Sequence, residues 1–485
     1  MSETPPSAGP ARSAGATIAR NSAWLVAGNL AGKVMTVVFM AVAANRLKTE
    51  GYGLFQIVLA FGSFFHVLVD FGFSTLMIER GSKDRDALRE HLRGNLGLKL
   101  ALYPLGLAAY AACLPLFGYL GEAVIVYFLG YAMVVANSQA YLLRGVLAAL
   151  EDLKPSARAD IVERLAAIGL GAVALWVTPL ALPFLAALVL GAFARVLVLW
   201  GAVRARGMAE PWRFSLPFVR AHFRDALPHA LHSIAGMLQQ RVDMVMLGAL
   251  RPAREAGLYG AAFDKVFGLV TLGGLVAGAY APTASRAWKE DRGEYHRLFR
   301  RAFALLPVFG LPASAGIALC APGITALMHT PEYGPSAAAL AWLAPYVALR
   351  FWILLHASAL LAAGRIGGHL AAELTGLAVK IALNAWLLPA YGFVGVAAVS
   401  AVSETVVLLV DSVMLRRVAG TPLLPLHWAW RPVAATAVMA GGVWLLREAH
   451  VLAQVAGGAV LYAAAFLALG GHRQDPALER LLRRR

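Results

Sequence analysis

Apolar stretches separated by short, mostly basic turns recur from end to end of this chain. A bilayer core about 30 Å thick takes about 20 helical residues to cross. By that ruler the pattern predicts about 14 helices, near 22–45, 52–78, 93–117, 122–149, 157–178, 180–203, 225–249, 257–282, 299–320, 336–362, 367–388, 393–415, 432–447 and 451–470. The fifth and sixth meet at Thr178-Pro179 with almost no loop. The expected fold class is an all-α polytopic membrane protein.

Composition agrees with the pattern. Of 485 residues, 59% are hydrophobic and 14% charged, with a mean hydropathy of +0.66, far more apolar than soluble domains of this size. Lys and Arg number 43 against 27 Asp and Glu, a formal +16. The excess comes as short clusters between apolar runs, the distribution of topology signals, and this argues against a nucleic-acid partner.

The clusters also set an orientation. One series of connections holds Arg80, Lys83, Arg85, Arg89 and Arg93, then Lys154 and Arg158, then Arg204, Arg206, Arg213, Arg220 and Arg224. It continues through Arg286 to Arg301, Arg365, Arg416, Arg417 and Arg431 to the C-terminal arginines. The alternate series offers Arg46, Lys48, Arg251, Arg254 and Arg447 and little else. Because rich and poor connections alternate without a break, the positive-inside rule predicts cytoplasmic termini and an even number of spans. Residues 1–17, rich in Ser, Pro, Ala and Gly, read as a disordered cytoplasmic tail rather than a signal peptide. Cys113 and Cys320 lie in apolar segments and imply no disulfide.

An internal repeat organises the chain. Gly53-Leu54-Phe55 falls on Gly257-Leu258-Tyr259 at an offset of 204, which also sets Arg20 on Arg224 and Gly32 on Gly236. This predicts a transporter of two similar lobes, 18–203 and 225–417, each of six helices. An amphipathic cytoplasmic linker, 204–224, carries Pro211, Trp212 and Pro217 between them. Two further helices (418–470) lie outside the repeat, and 471–485 is a basic cytoplasmic tail.

Ionisable groups inside the spans are the candidate chemistry, since each costs a few kcal/mol at mid-bilayer unless it faces a cavity or a partner. Lys33 lies about 11 residues, or about 16 Å, into the first span, with Asn29 four residues earlier on the same face. Arg350, Lys380 and Glu404 are similarly deep in spans ten, eleven and twelve, too far for a stem to reach the interface. Asp243, Asp264 and Lys265 lie nearer the outer ends of spans seven and eight, and Arg195 in the inner half of the sixth. Glu373 and Lys380, seven apart, share a helix face, whereas Arg241 and Asp243 do not.

Other charges have a simpler reading. Lys99, Arg144, Arg164 and Asp411 are close enough to the cytoplasmic ends to snorkel. Glu163 and Arg164, adjacent and opposite, are expected to offset each other, and Asp70 to cap or brace its helix. His66 and His356 read as packing residues. No His, Cys, Asp or Glu pair has metal-site spacing and no Walker-type loop occurs, so neither metal nor cofactor is expected.

Gly51-Tyr52-Gly53-Leu54-Phe55 with Asp70-Phe71-Gly72, and Arg241-Val242-Asp243 with Ala256-Gly257-Leu258-Tyr259-Gly260-Ala261-Ala262, carry a family likeness. The chain resembles the polysaccharide and lipid-linked oligosaccharide flippases, in the superfamily of multidrug and toxic compound extrusion transporters and lipid II flippases. The resemblance implies two six-helix lobes facing each other across a cavity, and no enzymatic activity. It implies carriage of an undecaprenyl-pyrophosphate-linked glycan between membrane leaflets by alternating access, coupled to H+ or Na+ and serving a polysaccharide polymerase in a bacterial inner membrane. On that reading Lys33, Asn29, Arg350, Lys380, Arg241 and Lys265 bind the diphosphate, and Asp243, Asp264 and Glu373 couple the cation. A multidrug antiporter is the main rival, but its cationic substrates call for an acidic cavity. A membrane glycosyltransferase is the other, and its outer loops would offer only Glu50, Glu122, Glu255 and Glu332 as acids.

Overall fold

The structure, a computed structural model, describes residues 14–81, 85–115, 124–208, 211–423 and 425–471; the side chains of 14–31, 33, 34, 75, 79–81, 85, 228, 229, 275, 276 and 426 are outside this set. The tail 1–13 and the residues from 472 on therefore lie outside the described residues, as do the side chains of Asn29 and Lys33.

Among the described residues thirteen α-helices run in chain order: α1 (Ala14–Asp70), α2 (Phe73–Gly81), α3 (Arg85–Cys113), α4 (Val124–Ala149), α5 (Lys154–Val177), α6 (Ala181–Ala205) and α7 (Leu216–Leu250), followed by α8 (Ala253–Glu290), α9 (Arg292–Met328), α10 (Ser336–Ala362), α11 (Ile366–Ala419), α12 (Trp430–Leu445) and α13 (Val451–Ala468). α1 bends at Lys48 (φ 58°) and α11 at Gly392 (φ 56°), so each supplies two arms. With those arms separated, and α2 continuing the second arm of α1, the predicted fourteen crossings are all present. The second span differs in one respect, because Phe71 and Gly72 turn through positive φ and set α2 off from α1. The close meeting at Thr178-Pro179 is present, α5 ending at Val177 and α6 starting at Ala181.

In lipid, helices gain little from apolar burial against one another and associate where small residues let backbones approach. The repeat glycines do this for the two halves. A Cβ on Gly53 would lie 1.7 Å from the Ala253 carbonyl, and one on Gly257 2.0 Å from that of Thr49. The two copies of the repeat thus cross in direct backbone contact. Around them Asn45 donates to the Met328 carbonyl (2.8 Å), Tyr333 to that of Ala44 (2.9 Å), and Thr49 through both N–H and hydroxyl to Glu332. This end of the bundle, with the Lys48 bend, is the kink end.

At the opposite, basic end α2 and α3 meet the start of α7. Phe73, Leu76 and Leu98 pack with Ala226 and Phe223, and the Arg213 N–H reaches the Arg93 carbonyl at 3.1 Å. Gly94 and Gly97 make room there for the Phe218 ring and the Arg213 backbone. α12 and α13 pack outside, on α9, where the Tyr462 hydroxyl donates to the Val308 carbonyl at 2.8 Å.

Candidate functional site

Between these two closures lies a chamber of about 460 Å³, walled by the first helices of one half (α1, α4, α5, α6) and by Met237 and Arg241 of α7. Three arginines reach it: Arg164 from α5, Arg195 from α6 and Arg241 from α7. Its single carboxylate, Glu163, accepts from Arg195 at 2.7 Å, and Arg195 also donates to Asn137 at 2.5 Å. The Arg164 guanidinium lies against Gly32, where no Cβ would fit. Among the described residues neither Arg164 nor Arg241 is in a salt bridge. Among the described lining residues the chamber is thus cationic by two fixed charges, three arginines against one glutamate.

The remaining sequence candidates are distributed differently from expectation. Arg350 and Lys380 do not line this chamber. Both are buried within the other half, on α10 and α11, held by acids. Arg350 lies 2.9 Å from Glu404 and 3.7 Å from Glu373; Lys380 lies 2.9 Å from Asp243 and donates to the Gln239 carbonyl at 2.7 Å. Asn384 (2.8 Å) and Ser400 (2.8 Å) also donate to Asp243. His369 joins Glu373 (3.5 Å) to Asp411 (3.0 Å), extending the cluster along α11. The physical reason these cations leave the chamber is that the two arms of α11 bring Glu373, Glu404 and Asp411, and α7 brings Asp243, beside them.

Asp264 and Lys265 serve the kink end. Asp264 accepts from Tyr52 and, at 2.8 Å, from Gln56, tying α8 to the second arm of α1. Lys265 donates to the Ala261 carbonyl (2.6 Å) and meets His329 Nε2 at 2.7 Å. Three of the residues expected to snorkel do not, Arg164 in the chamber being the first. Lys99 is buried against Asp70 (2.9 Å) and Ser138 Oγ (2.6 Å), and Asp411 against His369. Asp70 does brace its helix, accepting also from Ser74 at 2.7 Å. Glu163 pairs across to α6 and not with its neighbour Arg164.

Arg164, Arg195 and Asn137 therefore replace Arg350 and Lys380 as chamber residues. A signal was available: α5 falls outside the described helices apolar enough to cross on composition alone, because Asp160, Glu163 and Arg164 give it a polar face. A polar face on a helix within a bundle points inward.

A bundle of this topology, with an arginine-bearing cavity beside α7, has the fold of multi-pass membrane flippases and multidrug exporters. The chain belongs to the polysaccharide biosynthesis protein family, a sequence model of which matches residues 18–288. Among solved structures it is similar to the lipid II flippase MurJ in an inward closed conformation, at TM-score 0.72 and 14% identity over 90% of this chain and 97% of that one. It is also similar to an inward-facing multidrug resistance MATE family transporter of the MOP superfamily (TM-score 0.60, 17% identity, 81% of this chain, 95% of that one). A third is a MOP superfamily transporter from Pyrococcus furiosus described as having a binding pocket of reverse polarity (TM-score 0.53, 15% identity, 81% and 94%). At such identities the likeness establishes the fold alone. No curated protein sequence matches the chain.

Proposed function

We propose that this protein carries a polyprenyl-diphosphate-linked oligosaccharide, a polysaccharide repeat unit, from the inner to the outer leaflet of a bacterial cytoplasmic membrane by alternating access. The observation that carries the reading is the cationic chamber of Arg164, Arg195 and Arg241. A diphosphate cannot enter hydrocarbon unpaired, and guanidinium groups replace its hydration with charge-assisted bidentate hydrogen bonds. Arg164 and Arg241 have that capacity in reserve; Arg195, oriented by Glu163 and Asn137, positions the wall between them. A cationic drug would be repelled by the same wall, which favours this cargo over multidrug export.

On this reading the basic end and both termini face the cytoplasm and the kink end faces out. The two halves, 18–203 and 225–417, rock about the Gly53–Gly257 crossing, and the linker 204–224 tethers them. Lys33 and Asn29, on α1, complete the substrate-binding set with Arg241, and Lys265 meets the headgroup at the outer end. The acidic cluster around Asp243, Glu373 and Glu404 couples a cation. Four carboxylates there face two fixed cations, Arg350 and Lys380, so the surplus is met by protons on His369 or on a carboxylate. Both Asp243 oxygens already accept from protein donors, which favours H+ over Na+. A polymerase acting on the outer leaflet would take the product.

The test is transport of a fluorescent polyprenyl-diphosphate oligosaccharide in vesicles holding the purified protein. Arg164→Ala with Arg241→Ala is expected to abolish transport while the protein stays folded and membrane-inserted. Full transport by that double variant, or transport of an organic cation in its place, sinks the reading.

A further inference from the structure

A second cavity, of about 330 Å³, opens on the lateral face between α1 and α5. Its walls are Met35, Val38 and Val42 on α1 and Ala172 and Trp176 on α5, apolar over their whole length. One charge closes it: Arg46, exposed, at the kink end, level with the ring of Trp176, which is 83% exposed. From Met35 to Arg46 the groove runs about 16 Å, half the hydrocarbon thickness.

The groove is not isolated. Phe39 and Ile168 line both it and the arginine chamber, so two side chains form the partition between them. Gly171 is what lets that partition sit on α5: a Cβ there would lie 2.8 Å from the Phe39 ring, whose other face meets Phe184. An apolar slot that opens laterally, shares Phe39 and Ile168 with the chamber and ends at a guanidinium with no salt bridge among the described residues suits an amphiphile with a hydrocarbon chain and an anionic head.

Resting on the transport reading above, we propose that this α1–α5 groove seats the polyprenyl chain of the carrier lipid and is its lateral exit, with Arg46 meeting the diphosphate at the outer leaflet. The chain occupies the slot while the headgroup is in the chamber. When the kink end opens, the head follows the chain past Phe39 and is received by Arg46 at the interface. An ordinary phospholipid lacks the reason to thread the partition, since its head would then enter a chamber sized for a glycan.

Photo-crosslinking tests this on the full-length protein in phosphatidylglycerol-containing vesicles, with a polyprenyl diphosphate as probe. A benzophenone amino acid is placed at Val42 in the groove, at Met237 in the chamber, and at Val460 on α13 as a lipid-facing control. The expected result is probe adduct at Val42 and Met237 and phospholipid adduct at Val460. Ala172→Trp, which fills the groove, is expected to cut the Val42 adduct at least about tenfold, a bias of about 1.4 kcal/mol, and to leave the Met237 adduct. Ala172→Leu serves if the larger residue prevents insertion, and Arg46→Ala is expected to weaken capture at Val42. Probe at Met237 with only phospholipid at Val42 overturns the groove and leaves the transport reading standing. Probe at neither position overturns both.

Discussion

Arg350 shows how differently two buried charges are governed. It sits between Glu404 and Glu373, and removing it leaves two carboxylates in a dry interior. Breaking a buried pair from one side costs about 3–5 kcal/mol, whereas replacing both partners with neutral groups of similar size is often near neutral. Arg350→Met is therefore expected to deplete the protein from the membrane fraction, and the double change Arg350→Met with Glu404→Gln to restore its amount; detergent thermal-shift measurement on both variants decides it. Arg164, with no acid to leave behind, is expected to behave in reverse: Arg164→Ala keeps normal abundance and loses transport. The sequence made the depth of these charges legible, since depth is residue count times rise. It did not make their partners legible, because Glu404 is on a helix arm 54 positions away and its azimuth depends on packing. Arg164 went unrecognised for the same reason: its neighbour Glu163 was the nearest acid in sequence, but in space Glu163 belongs to Arg195.

At the scale of elements the bends matter most. The span boundaries follow from hydrophobicity, but not that spans one and two form a single helix bent at Lys48, nor that spans eleven and twelve bend at Gly392. The second bend has a visible cause, because Glu255, braced by Arg251 at 2.8 Å, accepts from the Phe393 N–H at 3.0 Å, and a Cβ on Gly392 would lie 2.4 Å from that carboxylate. The first crossing is held by Gly53 on Gly257. A valine at either position forces the halves apart at the kink end, so in a protein carrying Ala44→Cys, buried in the parent, Gly53→Val is expected to raise labelling by a membrane-impermeant maleimide about tenfold. Unchanged labelling would mean that this crossing is no gate. Outside the membrane, Arg206 from the end of α6 donates to Asp152 and holds its carboxyl below the usual range. A depressed acid contributes its tie above its ordinary range and loses it as pH falls through the folded value. Hydrogen exchange in the α4–α5 connection is therefore expected to quicken on acidification, and in Asp152→Asn to be fast at every pH.

For the whole molecule the repeat was legible and the asymmetry between its copies was not. The same offset that pairs Gly53 with Gly257 would lead one to expect similar interiors, but the first half, with Arg241 from α7, lines a cationic chamber, while the second half encloses an acidic cluster. Under the proposed function this divides the labour: one half would meet the anionic cargo, and the other would hold the groups whose charge can change. Since Glu373 contacts both Arg350 and His369, taking up a proton there weakens one tie between α10 and α11 and a second within α11. Such a differential contact is what lets an ion bias one conformation over another. In vesicles a proton gradient is expected to accelerate lipid-linked oligosaccharide transport several-fold, a sodium gradient at fixed pH to leave it unchanged, and Glu373→Gln to transport at one rate whatever the gradient. If Glu373→Gln keeps the parent's full response, the acidic cluster is scaffolding, and the coupling group has to be sought at Asp264, which ties α8 to α1 through Tyr52 and Gln56.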